Sequence, residues 1–225
     1  MLPAFTHPWD LTPADAAALQ RTLRGRVEIR PLPPVRTAAA LDVSFSKFAK
    51  ELVGGAVVVD VETGDVLEER VLVGSATFPY VPGLLSFREG PVLSEILMRL
   101  KTPVDLILCD GQGLAHPRRF GIACHLGVLF GIPSVGCAKS LLCGDCREPG
   151  EKRGSSTRLI HNGDVVGRAV RTRDGVKPVF VSPGHLADFD DSVRLILRLA
   201  SRYRLPDPIR RAHRLVNEAR RRFGL

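Results

Sequence analysis

Val104-Asp105-Leu106-Ile107-Leu108-Cys109-Asp110-Gly111-Gln112-Gly113 is a short apolar run that ends in a carboxylate and a glycine-rich turn. A run this short, rich in Leu and Ile and closed by a turn signal, reads as a buried strand over Val104–Cys109. On either side lie segments with helical apolar spacing, Gly90–Leu100 before it and Phe120–Phe130 after it, and a second strand-like run follows at Ile132–Cys137. Strands and helices in alternation imply parallel strands joined by crossovers.

Further upstream the rhythm changes. Arg36–Phe45, Gly54–Val61 and Val66–Val73 are three β-type runs, and Glu62-Thr63-Gly64-Asp65 is a hairpin-type turn between the last two. Such short links predict an antiparallel meander. Residues 157–182 read as another hairpin, with turns at His161-Asn162-Gly163-Asp164 and Arg173-Asp174-Gly175. Thr12-Pro13-Ala14-Asp15 combines an N-cap with a proline at the first helical position and opens a helix to about Arg24. Pro31, Pro33 and Pro34 stiffen the connector after it, and two helices close the chain, about Ala187–Ser201 and Pro208–Phe223. A three-strand meander followed by α-β-α-β is the order of the ribonuclease H-like fold. The expected class is therefore α/β, a mixed central sheet (antiparallel meander, then parallel strands) flanked by helices. With no internal repeat, low-complexity tract or linker in view, residues 1–225 read as one domain carrying a basic C-terminal helix over about 208–223.

The bulk composition fits this reading. The 225 residues are 44% hydrophobic and 25% charged, enough for a sizeable core. The net charge is +8, and from Arg202 to Leu225 eight arginines stand against Asp207 and Glu218, a local balance of +6. Basic charge concentrated on one terminal segment points to a polyanionic partner, because Lys and Arg gain free energy by releasing counterions from phosphates. Five cysteines, an odd number in a chain this large, favour reduced thiols and a cytoplasmic setting. The amino terminus lacks the order of a signal peptide, and no apolar run reaches the roughly 18 residues that span a bilayer, so no membrane partner is expected.

Two aspartates stand where structure alone gives them little reason to be. Asp42 interrupts the apolar Ala38–Phe45 and shares a strand face with Ala40 and Ser44; a buried charge there is costly unless paired or bound to metal. The competing reading is a solvated aspartate on an edge strand. Asp110 ends its strand, and ligands of α/β sheets gather at the carboxyl ends of strands; an Asp that merely starts a turn is the alternative. Together they could hold a divalent cation through hard oxygen ligands. Glu89 precedes the Gly90–Leu100 helix, where a helix dipole alone would also suit it. Before it runs Pro79-Tyr80-Val81-Pro82-Gly83, in which two prolines restrict the backbone around a tyrosine, as suits a ring that stacks or wedges between bases. His116-Pro117-Arg118-Arg119 reads as a basic, phosphate-binding loop. Lys139 follows the next strand and is one of only six lysines among 32 basic residues; at a strand end it could neutralise a phosphate. Cys143-Gly144-Asp145-Cys146 has the spacing of half a zinc site but lacks the other half, and free thiols are the expectation.

Read together, these segments resemble the endonuclease V family, also called deoxyribonuclease V. The resemblance rests on Leu41-Asp42-Val43-Ser44, the Pro79–Glu89 loop, Asp110-Gly111-Gln112-Gly113-Leu114-Ala115-His116-Pro117-Arg118, and Gly121–Gly127. It extends through Gly136-Cys137-Ala138-Lys139-Ser140, Lys177–His185 and Pro208–His213, in order along nearly the whole chain. It implies a monomeric nuclease using Mg²⁺, or Mn²⁺ in its place, that cuts the second phosphodiester 3′ to a deaminated base, above all inosine. The implied products carry 3′-hydroxyl and 5′-phosphate ends, and the implied partners are DNA with deaminated bases and inosine-containing RNA. It further implies Asp42 and Asp110 as metal ligands, Glu89 completing the acidic site, Lys139 facing the scissile phosphate and His213 reaching in from the last helix. Tyr80, flanked by Pro79 and Pro82, resembles a wedge that fills the gap left by an extruded base. Gly83, Leu85 and Gly111 would wall the base pocket. The rival readings are another ribonuclease H-like nuclease, a non-catalytic nucleic-acid-binding module and a zinc-binding protein. Carboxylates that repel phosphate unless a metal intervenes argue against the module, and the Pro-Tyr-Val-Pro loop separates this family from other nucleases.

Overall fold

The computed structural model describes residues 1–46 and 50–225. The first helix, α1 (Pro13–Arg24), starts as its sequence demands: the Thr12 hydroxyl oxygen accepts from the Asp15 backbone N–H, and Pro13 occupies the first turn. The meander follows as β1 (Thr37–Phe45), β2 (Glu51–Asp60) and β3 (Val66–Ser75). Then come α2 (Leu85–Arg99), β4 (Leu106–Cys109), α3 (Ile122–Phe130) and β5 (Ser134–Ala138). After β5 the chain forms β6 (Asp145–Cys146), β7 (Ser156–His161), β8 (Asp164–Val170) and β9 (Val179–Pro183), and closes with α4 (Phe189–Leu199) and α5 (Asp207–Arg222).

The described strands join one sheet in the order β3-β2-β1-β4-β5-β9-β8-β7-β6. β1 pairs antiparallel with β2 and parallel with β4, and β4 pairs parallel with β5, which is the ribonuclease H-like order 3-2-1-4-5. The hairpin expected over 157–182 is β7 and β8. It extends the same sheet through β9, which runs antiparallel to β5.

Helices cover both faces, so the central strands read as nearly unbroken apolar runs. On one face Ala38, Ala40, Leu106 and Leu108 pack against Leu195 and Ile196 of α4 and Ile209 and Ala212 of α5. On the other, Ala39, Leu41, Ile107 and Cys109 pack against Val92, Leu93 and Ile96 of α2 and Leu126 of α3. β3 lies at the sheet's edge and alternates between half-buried and exposed residues, with charged Glu68, Glu69 and Arg70 along it. No helix among the described residues is long and apolar enough to cross a membrane.

Two boundaries differ from the sequence reading in ways that matter. β2 begins at Glu51, ahead of the Gly54 start expected from its apolar run. Gly54 and Gly55 therefore sit inside the strand. A Cβ at Gly55 would lie 2.5 Å from Val216 of α5, so a bare backbone there lets α5 settle directly on the sheet. Likewise α2 begins at Leu85, before the Gly90 start read from its spacing. Glu89 is consequently not ahead of the helix but in its second turn, and buried. Burial of Phe87, Val92, Leu93 and Ile96 carries the helix through Gly90 and Pro91, which local propensity would place at its end.

Candidate active site

The parallel strands β1, β4 and β5 all release their functional side chains at the same edge. Leu41 pairs with Cys109, and the Asp110 N–H donates to the Leu41 carbonyl at 3.2 Å, which sets Asp42 and Asp110 side by side where the two strands end their pairing. Both follow the face that holds Ala40 and Leu108, the side covered by α5. Lys139 comes directly after β5, and its Nζ donates to Asp110 Oδ2 at 2.6 Å. His213 arrives from α5, its Nδ1 2.8 Å from Asp42 Oδ2. The Asn217 amide holds that turn of α5 by donating to the His213 carbonyl at 2.7 Å, while its oxygen accepts from the Ser44 hydroxyl at 2.8 Å. Strand β1 and helix α5 are thereby tied together beside the Asp42–His213 contact.

The electrostatics are those of a site built around missing positive charge. Burial, and then the neighbouring Asp110 carboxylate, push Asp42 up to about 6, although the His213 hydrogen bond pulls the other way. Glu89 comes from α2 across the sheet edge, and burial followed by the charges of Asp42 and Asp110 raises it well above the ordinary carboxylate range, with Arg88 opposing. Ligand atoms from Asp42, Asp110 and His213 lie within 4.8 Å of one another, the one such group among the described residues. Hard carboxylate oxygens and an imidazole at that spacing, with carboxylates crowded at a strand end, fit a divalent cation. Cys143 and Cys146 are half-exposed free thiols and belong to no such group.

Beside this cluster opens a cavity of about 310 Å³, at the lower end of the range for small-ligand sites, about 300–1,000 Å³. Gly83, Leu85 and Gly111, the residues expected to wall a base pocket, line it together with His116, Asp110 and Lys139. Tyr80 stands at its mouth with 63% of its surface exposed, beside Pro79 and Pro82. Across from it the exposed Leu141 and Leu142, which sequence patterns did not single out, complete the rim.

His116 and Arg118 are placed differently from a phosphate-binding loop. The buried His116 ring accepts from the Arg118 N–H at Nδ1 (3.1 Å), which leaves Nε2 to donate to the Gly83 carbonyl at 2.9 Å. Burial pushes this imidazole down to about 4, with the Gly83 carbonyl opposing and Arg118 adding, so it is neutral at physiological pH. Arg118 donates through Nη2 to the same carbonyl and through Nε to Gln20 Oε1, both at 2.5 Å. Gly83 itself has φ +77°, a conformation that favours glycine. These donors hold up the tyrosine loop from inside.

Comparison with known proteins agrees with this geometry. The sequence profile of the endonuclease V family matches residues 21–214. This chain belongs to the endonuclease V family. Among its relatives, endonuclease V of Myxococcus xanthus is 52% identical over 218 residues, covering 96% of this chain and 93% of that one. The crystal structure of endonuclease V from Streptomyces avermitilis superposes with a TM-score of 0.92 at 45% identity, covering 100% of this chain and 98% of the other. A Ciona intestinalis endonuclease V, solved with a 24mer DNA containing an inosine followed by a ribo-adenosine, matches with a TM-score of 0.83 at 26% identity over 93% and 98% of the two chains. Membership of the endonuclease V family makes the chain a nuclease, and the acidic cluster at the strand ends is its candidate for a divalent metal.

Proposed function

We propose that this protein is a DNA repair endonuclease that hydrolyses the second phosphodiester bond 3′ to a deaminated base, above all deoxyinosine, and leaves 3′-hydroxyl and 5′-phosphate ends. The observation that carries the reading is the joining of two features: a carboxylate–imidazole cluster where the β1–β4 pairing ends, and a cavity beside it lined by an exposed tyrosine between two prolines. The Ciona relative's complex with inosine-containing DNA supports the choice of base.

In this reading Asp42 and Asp110 would hold Mg²⁺, or Mn²⁺ in its place, with His213 beside Asp42 and Glu89 completing the acidic site. When bound, the cation supplies charge stabilisation at the scissile phosphate and lowers the pKa of a bound water. Lys139, held at 2.6 Å from Asp110, offers its ammonium to a phosphate oxygen at the same edge. Tyr80 fills the space that the extruded base leaves in the stack, and its bracketing prolines limit the ordering needed on contact.

The cavity also suggests how a deaminated base is told from its parent. The N-terminus of α2 reaches it through Leu85 and Ser86, and its N-cap, Leu84, makes no side-chain capping bond. Backbone N–H groups at a helix start suit an acceptor. Hypoxanthine presents a keto oxygen where adenine presents an amino donor. A site of donors leaves the amino group without a partner, and rejection by an unpaired buried group is strong.

Gel cleavage of matched inosine duplex DNA, inosine-containing RNA and undamaged DNA, with and without Mg²⁺, tests the proposal. The expected result is metal-dependent cleavage of the inosine DNA one nucleotide beyond the lesion's 3′ neighbouring bond, with the RNA arm reporting whether ribose is accepted. Equal cleavage of undamaged DNA would overturn it.

A further inference from the structure

Gln20 lies on α1, just ahead of the residues that match the family profile, on the helix's buried stripe with Ala16 and Leu23. A glutamine 1% exposed must satisfy both ends of its amide inside the protein. Its Nε2 donates to the Gly83 carbonyl at 3.2 Å and to the Phe120 carbonyl at 3.1 Å, while its Oε1 accepts from Arg118 Nε at 2.5 Å. These partners are 63, 100 and 98 residues away along the chain. They belong to two segments that line the cavity, the tyrosine loop through Gly83 and the β4–α3 connection through Arg118 and Phe120, and Gln20 joins both to α1. The Gly83 carbonyl accepts from Gln20, His116 and Arg118 together, so its two lone pairs are fully taken.

We propose that Gln20 is a specificity-determining positioning residue, which ties the tyrosine loop and the β4–α3 connection to α1 in one frame and so sets the fit of the cavity to a deaminated purine. This rests on the reading of the cavity as a base pocket. Gln20 lines that cavity, and its amide is engaged by Gly83, Phe120 and Arg118 rather than by the Asp42–Asp110–His213 group, so its effect falls on selection of the base rather than on the hydrolytic step. A frame of satisfied hydrogen bonds serves selection because a loosened wall lets the helix-start donors drift from the keto oxygen, and discrimination depends on positions held to a fraction of an ångström. Removing Gln20 takes a donor from the Phe120 carbonyl and an acceptor from Arg118 Nε, while the Gly83 carbonyl keeps His116 and Arg118, and the cheapest way to recover the lost bonds is to move the walls.

The test is binding, measured without divalent metal by fluorescence anisotropy on two duplexes that differ only in a central inosine or adenine. Gln20→Ala and Gln20→Leu are compared with the wild type; leucine fills the space without offering polar atoms. The expected result is a wild-type preference for the inosine duplex, and a drop of about tenfold in the ratio of the two affinities in both variants, the scale of one or two buried hydrogen bonds. The adenine duplex reports phosphate contacts, which Gln20 does not make. An unchanged ratio would overturn the proposal. So would a proportional loss of both affinities in both variants, since that would make Gln20 a stabiliser of the scaffold alone. A wild type that binds the two duplexes equally would instead overturn the base-pocket reading, and the role of Gln20 with it.

Discussion

The two halves of the site are built on opposite electrostatic plans. In the acidic half, Asp42, Glu89 and Asp110 crowd one another, and burial with mutual repulsion raises Asp42 and Glu89. In the pocket half, the Gly83 carbonyl and the side chains of Gln20, His116 and Arg118 satisfy one another, and the one titratable ring is kept neutral. The contrast fits what the proposed function asks of each half. A cluster that binds a cation gains by being short of positive charge until the cation arrives, whereas a pocket that reads a base gains by being rigid beforehand.

Breaking the acidic half should cost most. Asp42→Asn or Asp110→Asn should lower metal-dependent cleavage by roughly a thousandfold, the scale of several kcal/mol of charge stabilisation, while circular dichroism and the melting temperature stay near wild type. A folded variant that cleaves at the wild-type rate would dissolve the contrast. Tyr80 probes the pocket's mouth. Its ring should contribute stacking worth about 1–3 kcal/mol, so Tyr80→Ala should slow single-turnover cleavage of duplex inosine by roughly 5- to 150-fold. The loss should be small on single-stranded inosine, where no stack needs holding open, and Tyr80→Phe should be close to normal. Equal losses on both substrates would reduce Tyr80 to a generic surface contact.

The neutral frame predicts a stability effect with a definite sign. His116 sits near 4 in the folded protein, against about 6.5 when unfolded. The unfolded chain therefore takes up the proton first. The stability contributed by the neutral ring is complete above about pH 6.5 and fades as pH falls towards 4, by up to about 3 kcal/mol. Denaturant titrations at pH 7 and 4.5 should show a larger acid loss in the wild type than in His116→Gln. Matching losses would mean that the ring is not held neutral. The smallest effect belongs to the basic tail, outside both halves. Replacing Arg220, Arg221 and Arg222 by alanine should flatten the slope of log K against log salt by roughly 0.9 for each phosphate no longer neutralised. An unchanged slope would leave these arginines as a solvated face.

Much of this was legible from patterns along the chain. The change from short-linked β-type runs to alternating strand and helix announced the meander and the parallel strands, because apolar periodicity directly reports which side of an element is buried. Asp42 and Asp110 stand out because a carboxylate inside or directly after an apolar strand violates the local pattern. The prolines around Tyr80 were equally visible, since proline restricts its backbone wherever it stands. Glu89 was found but misplaced, because Gly90 and Pro91 mimic a helix start while packing of Phe87 carries the helix back to Leu85.

Other contacts became visible only in three dimensions. His213 meets Asp42 across 171 residues, and it can do so because Gly55 leaves room for α5 to rest on β2. Gln20 was a polar residue in an otherwise ordinary helix until the fold brought Gly83, Phe120 and Arg118 around it, although its place in the stripe with Ala16 and Leu23 was a clue. His116 and Arg118 carry the composition of a phosphate-binding loop, yet their donors turn inward to a backbone carbonyl. Which segments are strands and helices, which acids sit against the apolar grain, and where the backbone is stiff can be read along the chain, because those properties depend on neighbours a few residues away. Which hydrogen bonds those side chains make depends on the folded arrangement. A donor or acceptor is written identically in the sequence whether it faces water or a carbonyl a hundred residues distant, and the difference between the two is set by what the fold places within hydrogen-bonding reach.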